Sequence, residues 1–294
     1  MISVVIPAYN EADAVGETVR SILQVMEAAG IKGIEVVVVD DGSTDKTTDV
    51  ARSAGARIVR HPQRAGYGRS LKDGIRAAEH DTIAIIDADG TYPMKELPNL
   101  VQVYEDGYDM VVGARQGEHY HQSFIKKLSR SILKALVEFA SGCEIADINS
   151  GMRVFSRSTA MRYFPRLCNS FSFTTSLTLA YVMMGRFVAH VPISYDKRVG
   201  SSKVRHFRDA LRTMQFIVEA VVFYNPLKMF TLFVVLLMGV SLCGFVVSIL
   251  MPVKIGYIIG IGSFLMAILM FGIGLLAVLL KQIMYHVGGD DEAA

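Results

Sequence analysis

Cysteine is scarce. Cys143, Cys168 and Cys243 are the only three in 294 residues, and no two have CxxC spacing. An odd, scattered set builds neither a disulfide framework nor a thiolate zinc site, so the main body is expected in a reducing compartment. The opening MISVVIPAYN lacks the basic start and small-residue cleavage site of a signal peptide. No glycine interrupts IPAYNEAD after the first apolar run, which excludes the GxGxxG turn of a dinucleotide-binding fold, and a Walker A loop is absent. The formal net charge is only +2, and no nucleic-acid partner is expected. Tryptophan is missing altogether.

What is abundant is apolar surface, at 51% of residues, and it is concentrated after Pro226. Residues 226–251 carry one charge, Lys228, and residues 255–280 carry none. A helix of about 20 apolar residues crosses the hydrocarbon core of a bilayer. Both runs meet that length, and PVK between them has room only for a tight turn. Two buried core helices would instead need a very large soluble core to hide them. Lys and Arg crowd residues 197–212, Lys281 follows the second run, and the hairpin holds only Lys254. The positive-inside rule therefore predicts a cytosolic main domain and cytosolic termini, on a cytoplasmic, inner or endoplasmic-reticulum-type membrane. The expected division is a globular domain over 1–200, an amphipathic juxtamembrane segment over 201–225, a two-helix hairpin over 226–281 and a polar tail over 282–294.

The first 120 residues alternate. SVVIPA, IEVVVVDDG, ARIVRH, TIAIIDADG and DMVVGAR read as strands; AVGETVRSILQVMEAAG, DKTTDVARSAG and GRSLKDGIRAAEH read as helices between them. Strand–helix alternation predicts an α/β fold with a mainly parallel sheet and helices on its faces. Ligands of such sheets bind beyond the C-terminal strand ends. Asn10 and Glu11, Asp40 and Asp41, and Asp87 and Asp89 follow three of those ends. Two aspartates in one DADG turn repel each other unless a cation lies between them. Such a pair suits Mg2+ or Mn2+, which bind through one or two carboxylates plus substrate phosphates.

The ordered set VVIPAYNE, VVVVDDGSTDKT, RAGYGRSLKDGI, DADG, VVGAR, DINSGMRVF and VPISYDKRVGSSK resembles the family 2 glycosyltransferases of GT-A fold. Within them it is similar to the polyprenyl-phosphate branch, which includes dolichol-phosphate mannose synthases and bactoprenol-phosphate glucosyltransferases. The resemblance covers about residues 1–220, and the paired C-terminal helices fit that branch too. It implies a nucleotide-diphosphate sugar donor, a polyprenyl phosphate acceptor in the lipid bilayer, and Mg2+ or Mn2+ as cofactor. Pro7, Ala8, Tyr9, Glu11, Asp40, Asp41, Gly66, Lys72, Asp87 and Ala88 would line the donor nucleotide site. Asp87 and Asp89 would hold the metal. Many members of the branch read DADLQ, with the glutamine as a further ligand. Here Gly90 and Thr91 stand in its place, and Thr91 either offers its hydroxyl to the metal or leaves that position to water. Asp40 and Asp41 also fit a helix-capping cluster with GSTD.

On the acceptor side Arg198, Ser202 and Lys203 match the family's Arg–Gly–Ser-Lys motif, which implies binding of the acceptor phosphate, the diphosphate or both. Arg115 and Arg130 are read as further acceptor-phosphate cations, since two polyanions must be brought together. Arg130 lies on residues 123–142, which read as a basic amphipathic helix. Asp147 holds the family's candidate position for a base. Because the acceptor phosphate needs no deprotonation, it is expected to orient Arg153 or an acceptor-binding arginine instead. The catalytic set is thus Asp89, Asp147, Arg115, Arg130, Arg198 and Lys203. The hydroxyl-rich FSFTTSLTLA reads either as a sugar-contacting face or as an ordinary helix start. A processive polysaccharide synthase would bring Gln-x-x-Arg-Trp and more membrane spans. An inactive membrane scaffold would show damage at Asp87, Asp89, Arg198 or Lys203, and none is present. The identity of the sugar and the oligomeric state, a homo-oligomer included, are left open.

Overall fold

The computed structural model describes residues 1–116, 138–139, 142–169, 172–195, 225–251 and 254–288, with isolated residues between 215 and 222. Arg130, Arg198, Ser202 and Lys203, most of the expected amphipathic helix over 123–142, and nearly all of the juxtamembrane segment lie outside the described residues. The chain divides into two units, Met1–Ile217 and Val218–Ala294.

The first unit is built on a seven-stranded sheet. Its strands are β1 (Ile2–Ala8), β2 (Ile34–Asp40), β3 (Arg57–Arg60), β4 (Thr82–Ile85), β5 (Met110–Gln116), β6 (Arg153–Ser156) and β7 (Val188–Ser194). Their order across the sheet is β3-β2-β1-β4-β6-β5-β7. The interior strands are runs of Val, Ile and Ala with hardly an exposed side chain, as expected where helices cover both faces. Helices α1 (Val15–Ala28), α2 (Thr47–Ser53), α3 (Tyr67–Ala77), α4 (Leu97–Glu105), α5 (Arg157–Tyr163) and α6 (Phe173–Met183) flank it. α1 buries Val15, Val19, Ile22 and Met26 at helical spacing. α6 is buried along most of its length, its hydroxyl-bearing residues included.

All five strands read from the sequence, β1 to β5, lie where the pattern places them. β1 pairs in parallel with both β2 and β4, so the chain reverses its direction of travel across the sheet beside β1. That crevice is where α/β sheets bind ligands. The sequence reading had no strand at β6, which among the described residues is the one strand that runs antiparallel to its neighbours, β4 and β5. Its direction has a consequence for the site. The start of β6 lies at the same sheet edge as the ends of β1, β2, β4, β5 and β7. The loop from Asp147 to Met152 is thereby delivered to the edge that carries Asp40, Asp87 and Arg115.

The second unit is a helical hairpin of α7 (Pro226–Leu250) and α8 (Lys254–Gly288). Asn225 caps α7 by accepting the Lys228 N–H at 3.3 Å, with Pro226 in the first turn. Both helices are long and apolar enough to cross a membrane. Small residues let them touch: a Cβ on Gly244 would sit 2.9 Å from the Gly256 carbonyl oxygen. Ser241 Oγ donates across to the Gly260 carbonyl at 2.7 Å. Leu236, Leu242, Ile249, Ile258 and Leu265 project outward from the pair. α8 continues to Gly288, into the stretch expected as a polar tail.

Candidate active site

The turns after β1 and β2 are laced together by side chains. Ser43 Oγ accepts the Asn10 N–H at 2.9 Å, Thr47 Oγ1 accepts the Glu11 N–H at 2.9 Å, and Asn10 Oδ1 accepts the Thr44 N–H at 2.9 Å. Asn10 holds a left-handed backbone to do this, with φ 53°. Asp40 and Ala8 are register partners. The Asp40 carboxylate, 1% exposed, accepts the Ser43 N–H at 2.8 Å and the Thr48 hydroxyl. Asp41 pins the segment before α3, taking the N–H groups of Ala65 at 2.7 Å and Gly66 at 2.9 Å, with His61 Nδ1 2.8 Å away. The helix-cap alternative read for this pair is not what the bonds show: α2 has no side-chain cap, Asp40 instead bridges Ser43 and Thr48, and Asp41 reaches away from GSTD altogether. Tyr9 lies beneath the Arg64 guanidinium, 4.5 Å from the ring centre. Pro7 pairs in register with Val39, and the buried Ala88 accepts the Thr18 hydroxyl on its carbonyl at 3.3 Å.

Lys72 turns toward a different segment. It is buried, and its ammonium donates to the Leu167 carbonyl and to Asn169 Oδ1, both at 2.6 Å. Burial pulls its pKa below the ordinary lysine range. It tethers residues 167–169 to α3.

The DADG turn follows β4. Gly90 takes φ +71°, which a side chain would resist. Thr91, fully buried, donates its hydroxyl to Asp89 Oδ1 at 2.7 Å and its N–H to the same oxygen at 3.2 Å. Asp87 Oδ1 accepts the Tyr67 hydroxyl at 2.9 Å. Burial, with the Asp87 charge beside it, pushes the Tyr67 phenol well above its ordinary range, so it stays a donor. Among the described residues no cluster of three or more His, Cys, Asp or Glu could cage a metal alone. The donor set is two carboxylates from one turn, both oxygen ligands. That set fits a hard cation such as Mg2+ or Mn2+ sharing its shell with substrate phosphates.

Across the edge, Arg115 ends β5 and meets Asp147 in a fork, Nε to Oδ2 at 2.7 Å and Nη2 to Oδ1 at 3.0 Å. The Arg115 and Asn149 N–H groups add bonds of 3.2 and 3.1 Å to the same carboxylate. Burial acts to raise the Asp147 pKa, but the Arg115 bonds and charge outweigh it and hold the carboxyl below the usual range. A carboxylate held ionised in this way is a poor proton acceptor. The Arg115 guanidinium also lies 5.2 Å from the centre of the Tyr195 ring.

Arg153, weighed in the sequence as a partner for Asp147, does something else. It is completely buried and donates to four oxygens: Ser150 carbonyl at 2.7 Å, Ile148 carbonyl at 2.7 Å, Thr174 carbonyl at 2.9 Å and Thr178 Oγ1 at 2.5 Å. Burial lowers its pKa to about 10. Four oxygens from two segments converge on one guanidinium, which knits the 147–152 loop to α6. The hydroxyl-rich face of α6 is largely used here and against Asn149, to which Thr175 donates at 2.6 Å.

Residues 3–164 match Glycosyl transferase family 2. The chain belongs to that family. It is 31% identical over 210 residues to a dolichyl-phosphate hexose transferase of Haloferax volcanii, covering 70% of this chain and 87% of that one. It is 26% identical over 259 residues to an undecaprenyl-phosphate 4-deoxy-4-formamido-L-arabinose transferase of an Enterobacter species, covering 86% and 76%. In three dimensions it resembles glucosyl-3-phosphoglycerate synthase from Mycobacterium tuberculosis, solved with Mg2+ and uridine diphosphate. The TM-score is 0.62 at 24% identity, over 75% of this chain and 79% of that one. The GT-A fold is therefore the fold of this family 2 transferase.

Three residues of the edge carry no role in the sequence reading. Tyr67 bonds Asp87. Tyr92, buried, accepts the Gly151 N–H at 2.6 Å. Tyr195 stacks edge-on to Tyr92, with ring centres 5.4 Å apart. The one available signal was placement: Tyr67 and Tyr195 lie within recognised motifs, and Tyr92 lies two residues after DADG.

Proposed function

We propose that this transferase moves a sugar from a nucleoside diphosphate sugar to the phosphate of a polyprenyl lipid, at a membrane, with inversion. One observation carries the reading: the loop 147–151 lies against Asp87 through Gly151 and holds Arg115 through Asp147. A carboxylate turn for the donor diphosphate and a cation for the acceptor phosphate thus share one sheet edge. The named acceptors of the two curated relatives support the lipid, being dolichyl and undecaprenyl phosphate. The Enterobacter match takes in 86% of this chain, more than residues 1–225 contain, so it runs into the apolar helices.

Asp87 and Asp89 would hold Mg2+ or Mn2+, with Thr91 fixing Asp89. Bound there, the cation would offset the charge of the departing diphosphate. Pro7, Ala8, Tyr9, Glu11, Asp40, Asp41, Gly66 and Ala88 would surround the nucleotide, and Lys72 would support that wall through residues 167–169. In the step itself an acceptor phosphate oxygen bonds to the anomeric carbon. The bond from that carbon to the diphosphate oxygen breaks, and the nucleoside diphosphate leaves with the electron pair. A phosphate monoester has a second pKa of about 6 and is mostly dianionic at neutral pH, so no proton need be removed. Asp147 accordingly holds Arg115 in place instead of acting as a base. Arg130, Arg198, Ser202 and Lys203 would complete the acceptor phosphate site, Arg by its planar fork and Lys as a point charge. α7 and α8 would anchor the enzyme, with its catalytic domain and termini cytosolic.

The test is transfer of label from a panel of nucleotide sugars into polyprenyl phosphate, using full-length protein in detergent with Mn2+ or Mg2+. One donor is expected to label the lipid, and Asp89→Ala to abolish it. Label reaching only water-soluble acceptors would overturn the lipid reading.

A further inference from the structure

Asp87 and Asp89 share a feature that their spacing does not require. Each receives a hydroxyl on one carboxylate oxygen. Thr91 supplies it to Asp89 from two residues along the same turn. Tyr67 supplies it to Asp87 from the first turn of α3, 20 residues earlier in the chain. On its other side Asp87 meets backbone: a Cβ on Gly151 would fall 2.6 Å from Oδ2. Gly151 is itself held by its N–H on the Tyr92 hydroxyl. The carboxylate is therefore bracketed, by a phenol on one oxygen and a pinned glycine against the other.

We propose that Tyr67 is a positioning residue for the cation site. Its hydroxyl holds the Asp87 carboxylate in one orientation. An ionised carboxylate accepts at about four lone-pair sites, so one hydroxyl does not saturate it. Groups that hydrogen-bond a ligating carboxylate orient it, and their loss typically costs about 10–100-fold in metal affinity or activity. This rests on the reading of Asp87 and Asp89 as cation ligands.

The experiment titrates Mn2+ into full-length protein in detergent and follows free Mn2+ by electron paramagnetic resonance. Parallel series contain UDP or GDP. Tyr67→Phe keeps the ring and removes only the hydroxyl. It is expected to raise the Kd for Mn2+ by about 10–100-fold. Its thermal midpoint should stay close to wild type. Transfer should recover as Mn2+ is raised, so that the metal KM moves and kcat at saturation hardly does. Gly151→Ala disturbs the same carboxylate from the other side with Tyr67 intact, and should weaken Mn2+ binding too. If Tyr67→Phe binds Mn2+ as wild type does while Asp89→Ala loses it, the positioning role is overturned and the cation site stands, whatever Gly151→Ala does. If wild type binds no Mn2+ with either nucleotide, or Asp89→Ala binds normally, the cation reading fails and this proposal fails with it.

Discussion

Arg115 and Asp147, 32 residues apart in the chain, meet in a two-pronged fork that is almost wholly out of solvent, with side chains 14% and 3% exposed. The pair sets what each partner can do. Asp147 is committed to the guanidinium, and Arg115 is held by that carboxylate beside the Tyr195 ring.

Asp147→Asn leaves a buried guanidinium without its counter-charge. Breaking one side of such a pair costs about 3 kcal/mol, to be read from thermal unfolding of variant and wild type at pH 7. The sign with pH follows from the lowered native pKa. An unfolded aspartate titrates at about 3.9, so the stabilisation is complete above about pH 4 and is lost as pH falls through the native value. The gap between variant and wild type should therefore close in acid. The rate of transfer by the wild type should show no limb from Asp147 between pH 5 and 8.

Arg153→Met removes the donor that four oxygens share. The carbonyls of Ile148 and Ser150 would be left buried, each at a cost of about 1–3 kcal/mol where water cannot replace the bond, while the Thr174 carbonyl keeps the Thr178 hydroxyl. The thermal midpoint should fall well below that of wild type. Arg153→Lys should rescue little, because one ammonium cannot reproduce the planar fork. A midpoint for Arg153→Met equal to wild type would show that the loop is held by something else.

Gly244→Leu tests the hairpin. The side chain would enter a contact where the two backbones approach, and overpacking of this kind costs about 1–3 kcal/mol. The Ser241 bond to Gly260 should be lost with it. Thermal unfolding in detergent should show a lowered midpoint for the helical unit, with nucleotide binding at low temperature unchanged.

The parallel half of the sheet was legible because its strands are short β-branched runs buried on both faces, and that pattern is local. β6 was not legible. It is four residues long, and its first residue is Arg153, an unpromising core residue unless its four acceptors are known. β7 was also missed, as it carries His190 and Pro192. The family resemblance placed Lys72 at the donor nucleotide site; only the structure shows that its ammonium bonds Leu167 and Asn169, 95 and 97 residues away.

The residues alone determined the α/β class, the carboxylate turn after β4, and two helices apolar enough to span a bilayer. Each follows from side-chain chemistry and spacing within about one element. Only the tertiary structure decided which arginine Asp147 holds and what brackets Asp87. Those answers depend on one antiparallel strand. By reversing direction between β4 and β5, β6 brings the Asp147–Gly151 loop to the edge where Tyr67, Asp87 and Arg115 already stand. Pairing between segments so distant is set by how the whole sheet closes its core, and no local pattern encodes it.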